Sequence, residues 1–168
     1  VKSAQEDEYL AFVAARAKAL YRSAYVLAAG DAHLAEDLVQ ETLSRVYVHW
    51  KRVVRADNPA AYAQTVLVRT FLSLRRRRSS TERPTGTLPD NAATGPDTAL
   101  RLTLLDALGQ LPPRDRAVLL LRYWEDRSIE ETAQMLRMTS SAVRSQSARA
   151  LGRARALLGD SLSDLIPH

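Results

Sequence analysis

SIEETAQMLRMTSSAVRS, Ser128 to Ser145, is the stretch on which the fold of this chain turns. Ser128 followed three positions later by Glu131 reads as a capping box, in which hydroxyl and carboxylate each satisfy a backbone N–H that a helix start leaves unpaired. Ile129, Ala133 and Leu136 then recur at helical spacing and make one inner stripe. Ala133 is small, which suits a point where two helices cross closely. Arg137-Met138 is a tight connection in which Met138 can plug the core, and Thr139 caps a second helix held down by Val143. The pattern predicts a helix-turn-helix whose second helix projects its first turns outward. Thr139, Ser140, Ser141, Arg144, Ser145 and, further along, Arg149 and Arg153 are its outward set. Hydroxyls and guanidinium groups reach base edges and phosphates in the major groove of duplex DNA. The competing reading is an ordinary helical hairpin with a solvated basic face, and the capping order and spacing argue against it.

Working outward, Thr98 to Leu111 is predicted helical on Leu100, Leu104, Leu105 and Leu108, and Pro112-Pro113 stops it and starts the next helix at Arg114. That helix carries Val118, Leu119, Leu121, Tyr123 and Trp124 as candidate buried or partly buried positions, with Arg122 toward solvent. Upstream, Ser79 to Asp97 is a run of Ser, Thr, Pro, Gly and Asn with little to bury, which reads as a linker. Before it, a helix from Gln5 to Ala29 ends near Gly30, and a second opens near Asp31 and runs to about Trp50 with Leu34, Leu38, Val39, Leu43, Val46 and Trp50 inward. The segment Arg52 to Pro59 breaks the pattern with Asp57-Asn58-Pro59, and a third helix follows from Ala60 to about Arg77. It ends in Arg75-Arg76-Arg77-Arg78, a charge run suited to a phosphate backbone. The expected fold is all-α: two small helical domains, residues 1–78 and 98–168, joined by a flexible linker over 79–97.

Composition bounds the function. The 168 residues are 46% hydrophobic and carry a formal charge of +5, a globular chain attracted to polyanions. No stretch approaches the roughly 20 apolar residues of a membrane helix, and the amino terminus is acidic, so no membrane insertion and a cytoplasmic location are expected. Without cysteine there is no disulfide, no cysteine-ligated zinc and no thiol nucleophile. His33, Glu36, Asp37 and Glu41 give an enzyme hypothesis one foothold, yet His49 and His168 complete no metal set, and no phosphate-cradling glycine loop is present. No catalytic residue, metal or cofactor is expected. A DNA-binding response protein would share the helix-turn-helix, but its receiver or ligand domain would show alternating strands that are missing here.

Two blocks resemble the extracytoplasmic-function sigma factors of bacterial RNA polymerase, and within them the actinobacterial SigE-like group. Asp37-Leu38-Val39-Gln40-Glu41-Thr42-Leu43-Ser44-Arg45-Val46-Tyr47, followed by Trp50 and by Asp57-Asn58-Pro59-Ala60-Ala61-Tyr62, is similar to region two. Leu111-Pro112-Pro113-Arg114-Asp115-Arg116-Ala117-Val118 through Arg149 is similar to region four. The resemblance implies that Asp37, Gln40, Glu41 and Ser44 dock on the clamp helices of the polymerase largest subunit, and that region four meets the flap. It also implies that Asp57, Asn58, Tyr62, Thr65, Arg69, Arg75 and Arg76 hold the melted minus-ten element, while Arg144, Ser145 and Arg149 read the minus-thirty-five duplex. A regulating anti-sigma factor is a further implied partner. Departures from the family pattern fall at Arg137, where glycine is common, at Gln146 and Ser147 in the recognition helix, and at Arg69, Ser73 and Leu74.

Overall fold

The computed structural model describes residues 2–81 and 96–165, with side chains described over residues 4–76 and 98–159. Every regular element among them is helical. In the first half, α1 (Lys2–Leu27) and α2 (Ala32–Val48) form a helical hairpin. Its turn is set by chemistry at three residues, Ala29, Gly30 and Asp31. Ala29 and Gly30 take positive φ (53° and 89°), and the Gly30 N–H donates to the Tyr25 carbonyl at 3.0 Å, which terminates α1. Asp31 then accepts from the Leu34 N–H at 3.1 Å and opens α2. A Cβ on Gly30 would stand 3.1 Å from the Leu105 side chain, so glycine is required there by both conformation and space.

The expected break from Arg52 to Pro59 is helical in its first part: α3 (Trp50–Arg55) forms because Trp50 and Val53, one turn apart, are both buried. Phe12 and Tyr9 pack their rings on Trp50 at centroid distances of 5.4 and 5.7 Å and fasten α1 to it. Asn58 caps α4 (Pro59–Thr81): its side-chain oxygen accepts from the Ala61 N–H at 3.1 Å, and Pro59 occupies the first helical position.

The second half comprises α5 (Pro96–Gln110), α6 (Pro113–Leu119), a π-helical turn (Leu120–Trp124), α7 (Ile129–Leu136) and α8 (Ser140–Leu165). The π-turn corrects one expectation. It widens the helix, with the Glu125 N–H reaching back to the Leu120 carbonyl at 2.8 Å, and so shifts the register that a 3.6-residue period assumes. Tyr123 and Trp124 consequently face solvent at 50% and 61% exposure rather than the core. Arg122, expected in solvent, is half-buried and donates to the Arg127 carbonyl.

The two halves lie against each other and share one apolar cluster. It runs from Leu20, Leu27 and Leu38 through Leu67, Val68 and Phe71 to Val118, Leu121, Met135 and Leu136. Polar contacts cross the same boundary. Arg116, 3% exposed, donates to the Leu27 carbonyl at 2.9 Å and sits 5.3 Å over the Phe71 ring. Burial, and then the nearby Arg75 cation, push its pKa down to about 10. Arg127 donates to Gln64 at 2.8 Å, and Ser23 to Glu125 at 2.6 Å. Most of the expected 79–97 linker, residues 82–95, lies outside the described residues.

Candidate nucleic-acid interface

The helix-turn-helix is built as its sequence chemistry predicts. Ser128 Oγ accepts from the Glu131 N–H and Glu131 Oε1 accepts from the Ser128 N–H, each at 3.0 Å. The backbone N–H of Ser128 is the first cause holding the Glu131 carboxyl below its ordinary value, followed by the Ser128 hydroxyl contact. At the far end of α7, Arg137 adopts a left-handed conformation (φ 56°, ψ 47°), and the Met138 N–H donates to the Ala133 carbonyl at 2.8 Å. Thr139 Oγ1 then accepts from the Ala142 N–H at 3.0 Å and starts α8.

Helix α8 sorts its residues cleanly. Val143, Ser147 and Ala150 are buried, whereas Thr139, Ser141, Arg144, Ser145 and Arg149 are exposed and Ser140 is half-buried. The helix breaks at Gly159 (φ 47°), beyond this outward face. Arg153 is placed differently from its neighbours. Its Nη1 donates to Oδ2 of Asp115 at 2.7 Å, and Gln146 donates to Oδ1 of the same carboxylate. Asp115 is 0% exposed and was not singled out by the sequence reading. The available signal was its position one turn before Val118, on the inward face of α6.

The residues expected near the melted strand fall into two groups. Asp57 and Asn58 are exposed, and half-buried Tyr62 borders an open cleft of about 960 Å³. Tyr47, His49, Trp50, Lys51, Arg52 and Arg55 also line that cleft, giving it cations and aromatic faces together. Helical period alone does not reveal Lys51, Arg52 and Arg55, because α3 is only six residues long. Their signal was the basic residues around the Trp50–Val53 pair.

Further along α4, Thr65 Oγ1 donates back to the Ala61 carbonyl at 2.9 Å. Arg69 points across to the other half, with Nε donating to the Met135 carbonyl at 2.8 Å and Nη2 to the Gln134 carbonyl at 3.1 Å. It thereby caps the end of α7 where the helix leaves carbonyls unpaired. Burial, then the neighbouring Arg137 cation, lower the Arg69 pKa. Arg75 is half-buried and Arg76 exposed.

On α2, Asp37, Gln40, Glu41 and Ser44 are all exposed, opposite buried Leu34, Leu38, Thr42 and Val46. Glu41 pairs with Arg45 at 3.0 Å along the helix. Among the described residues, no group of three or more His, Asp and Glu side chains is arranged to hold a metal ion, and no helix is long and apolar enough to cross a membrane.

An exposed polar and cationic helix face in one half, and a cationic, aromatic cleft beside a basic helix in the other, give this helical protein two separate surfaces chemically suited to nucleic acid. Comparison with known proteins sharpens this class. Residues 8–81 match the model for Sigma-70 region 2, and residues 101–153 match that for Sigma-70, region 4. The RNA polymerase sigma-E factor of Streptomyces coelicolor is 37% identical over 150 residues, covering 88% of this chain and 84% of that protein. The sigma-E factor of Streptomyces avermitilis is 39% identical over 151 residues, covering 88% and 83%. The chain belongs to the extracytoplasmic-function RNA polymerase sigma factors, a family of transcription initiation factors. Among solved structures, the sigma factor RpoE of Bartonella quintana, crystallised with the anti-sigma factor NepR, shares the fold with a TM-score of 0.72 at 22% identity, covering 90% of this chain and 96% of that one. CnrH, solved with the cytosolic domain of CnrY, superposes with a TM-score of 0.61 at 21% identity, covering 91% and 88%.

Proposed function

We propose that this sigma factor directs core RNA polymerase to promoters through three surfaces. The exposed α2 face, Asp37, Gln40, Glu41 and Ser44, docks on the clamp helices of the largest subunit, and the helix-turn-helix half meets the flap. The outward face of α8, carrying Thr139, Ser140, Ser141, Arg144, Ser145 and Arg149, reads the minus-thirty-five duplex. Asp57, Asn58, Tyr62 and Thr65, with the cleft lined by Lys51, Arg52 and Arg55, hold unstacked bases of the minus-ten strand, and Arg75 and Arg76 supply cations along the same helix, whereas Arg69, expected among them, is engaged by the α7 carbonyls. Extruding a base costs a few kcal/mol, which stacking on an aromatic face, worth about 1–3 kcal/mol per base, offsets. The protein performs no chemistry itself, works in the cytoplasm without a cofactor, and is restrained by an anti-sigma factor.

The observation that carries this reading is the division of α8 into a buried stripe and an exposed polar and cationic face beginning in its first turn. That is the geometry by which a recognition helix enters the major groove. Run-off transcription with core polymerase on a genomic promoter library tests it. Arg144→Ala should weaken selected promoters unevenly, since each bidentate base contact discriminates by roughly 1–3 kcal/mol. Arg76→Ala should weaken all promoters alike and flatten the salt dependence. Failure of the purified chain to bind core polymerase or select start sites would refute the proposal.

A further inference from the structure

Asp115 is the only buried acidic side chain among the described residues. A carboxylate removed from water needs compensation by charge and hydrogen bonds, and both of its compensating partners come from α8. Arg153 donates to Oδ2 at 2.7 Å, and Gln146 donates to Oδ1. These residues are seven positions apart, so they occupy one flank of the helix within about 20° and are separated by about 10 Å along its axis. Arg144 lies nine positions before Arg153, roughly 180° around the same helix. One fixed anion on α6 therefore grips α8 at two points, two turns apart, on the side away from Arg144.

We propose that Asp115 is a specificity-determining positioning residue: its carboxylate clamps α8 through Gln146 and Arg153 and sets the rotation at which Arg144 and its neighbours meet the duplex. This rests on the reading of α8 as the upstream recognition helix. It assigns Arg153 to the clamp and leaves phosphate contacts to Arg149. It also accounts for Gln146, which departs from the basic residue common in the family: at this position a neutral donor satisfies one carboxylate oxygen while Arg153 supplies the charge.

The physical consequence separates two kinds of DNA contact. Base readout requires the side chain to be held within about 0.5 Å and 10–20° of its working geometry, whereas phosphate contacts carry no sequence information and depend mainly on charge. Loosening the clamp should erase discrimination while leaving sequence-independent binding in place.

The test uses full-length protein with core polymerase on a promoter it drives, against the same promoter with a scrambled upstream element and an unchanged minus-ten element. The ratio of transcripts from the two templates is insensitive to the fraction of active protein. Asp115→Asn keeps an oxygen for Gln146 and removes the charge that holds Arg153. It should lower the ratio roughly fivefold or more, the loss of about one base contact, with scrambled-template transcription within about twofold of wild type. Arg153→Met should lower the ratio as well, yet leave the salt slope of promoter binding unchanged. Arg149→Ala should reduce that slope by about 0.9.

An unchanged ratio in Arg153→Met overturns the proposal, as does a parallel fall on both templates in a variant with native helix content by circular dichroism. A salt slope reduced in Arg153→Met as in Arg149→Ala overturns it too. If Asp115→Asn does not fold, Arg153→Met decides alone, because its half-exposed side chain can be replaced without burying a new group. Arg144→Ala distinguishes the two levels. If it collapses the ratio and the clamp variants do not, only the clamp fails; if it also leaves the ratio intact, the reading of α8 fails and the clamp with it.

Discussion

Replacing Arg69 by alanine should weaken the contact between the two halves of the molecule. In the closed arrangement its guanidinium makes two hydrogen bonds across the boundary, at 2.8 Å to the Met135 carbonyl and 3.1 Å to the Gln134 carbonyl. A hydrogen bond from a charged donor contributes about 1.5–3 kcal/mol net when well buried. Arg69 is only partly buried, so solvent screening places the pair together nearer that range than twice it. With about 1.4 kcal/mol per factor of ten, a loss of about 1.5–3 kcal/mol shifts the closed-to-open ratio roughly ten- to a hundredfold. The freed carbonyls end α7 and gain water on opening, so they add no lasting penalty to the open form.

The chain has no cysteine, so cysteines introduced at exposed Glu36 and Arg155 label it at two unique positions, one on each half. Single-molecule energy transfer between dyes there should show a broad, extended population enriched by that factor in Arg69→Ala, while the shared apolar cluster and the Arg116 and Arg127 bonds still favour the compact form. Arg69→Lys should fall between, since a single ammonium does not reproduce the two-pronged contact. The same distribution in wild type and Arg69→Ala, with unaltered amide-exchange protection in α7, would refute the reasoning. So would a loss of global stability without separation of the dyes, which would make the halves one cooperative body that Arg69 does not gate.

Arg137→Gly should stabilise the protein by up to about 1 kcal/mol, because the left-handed backbone there strains any residue with a Cβ, and thermal unfolding should show a rise of roughly 2–4 °C. Ser128→Ala removes the N-cap of α7 and should cost about 1 kcal/mol in urea unfolding. It should also change the acid limb of the stability curve. The Glu131 carboxyl is held below its ordinary value, so its contribution is complete above the ordinary glutamate range of the unfolded chain and disappears as pH falls through the lower folded value. In Ser128→Ala only the hydroxyl's share of that acid loss should be missing, because the backbone N–H of residue 128, the larger cause, remains. Arg116 gives the opposite case, a base whose folded pKa is pushed from the ordinary arginine range down to about 10. Between those values the unfolded chain binds more protons, so wild-type stability should gain with rising pH relative to Arg116→Met, and identical curves for the two would contradict the burial of that charge.

Elements governed by local chemistry were legible in the sequence. The capping box at Ser128 and Glu131, the Thr139 cap, the Asp31 cap and the outward face of α8 all depend on residues within a turn or two of each other, and each stands where the pattern predicts. The inward residues Leu34, Leu38, Val46 and Trp50 followed from helical period alone. Period failed where geometry departed from the α-helix. The π-turn at Leu120–Trp124 sent Tyr123 and Trp124 to the surface, and α3 was hidden by being only six residues long.

What the sequence by itself determined, then, is which segments become helices, which face of each is apolar, and that a basic helix-turn-helix is present, because those properties arise from neighbours along the chain. Only the tertiary structure decided the partners of the charged groups. Arg69, Arg116 and Arg153 are alike as letters in a basic chain, but one caps α7, one is buried over Phe71, and one answers the carboxylate of Asp115. A guanidinium's role depends on which acceptor lies within about 3 Å, and that acceptor is separated from it by between 38 and 89 residues of chain.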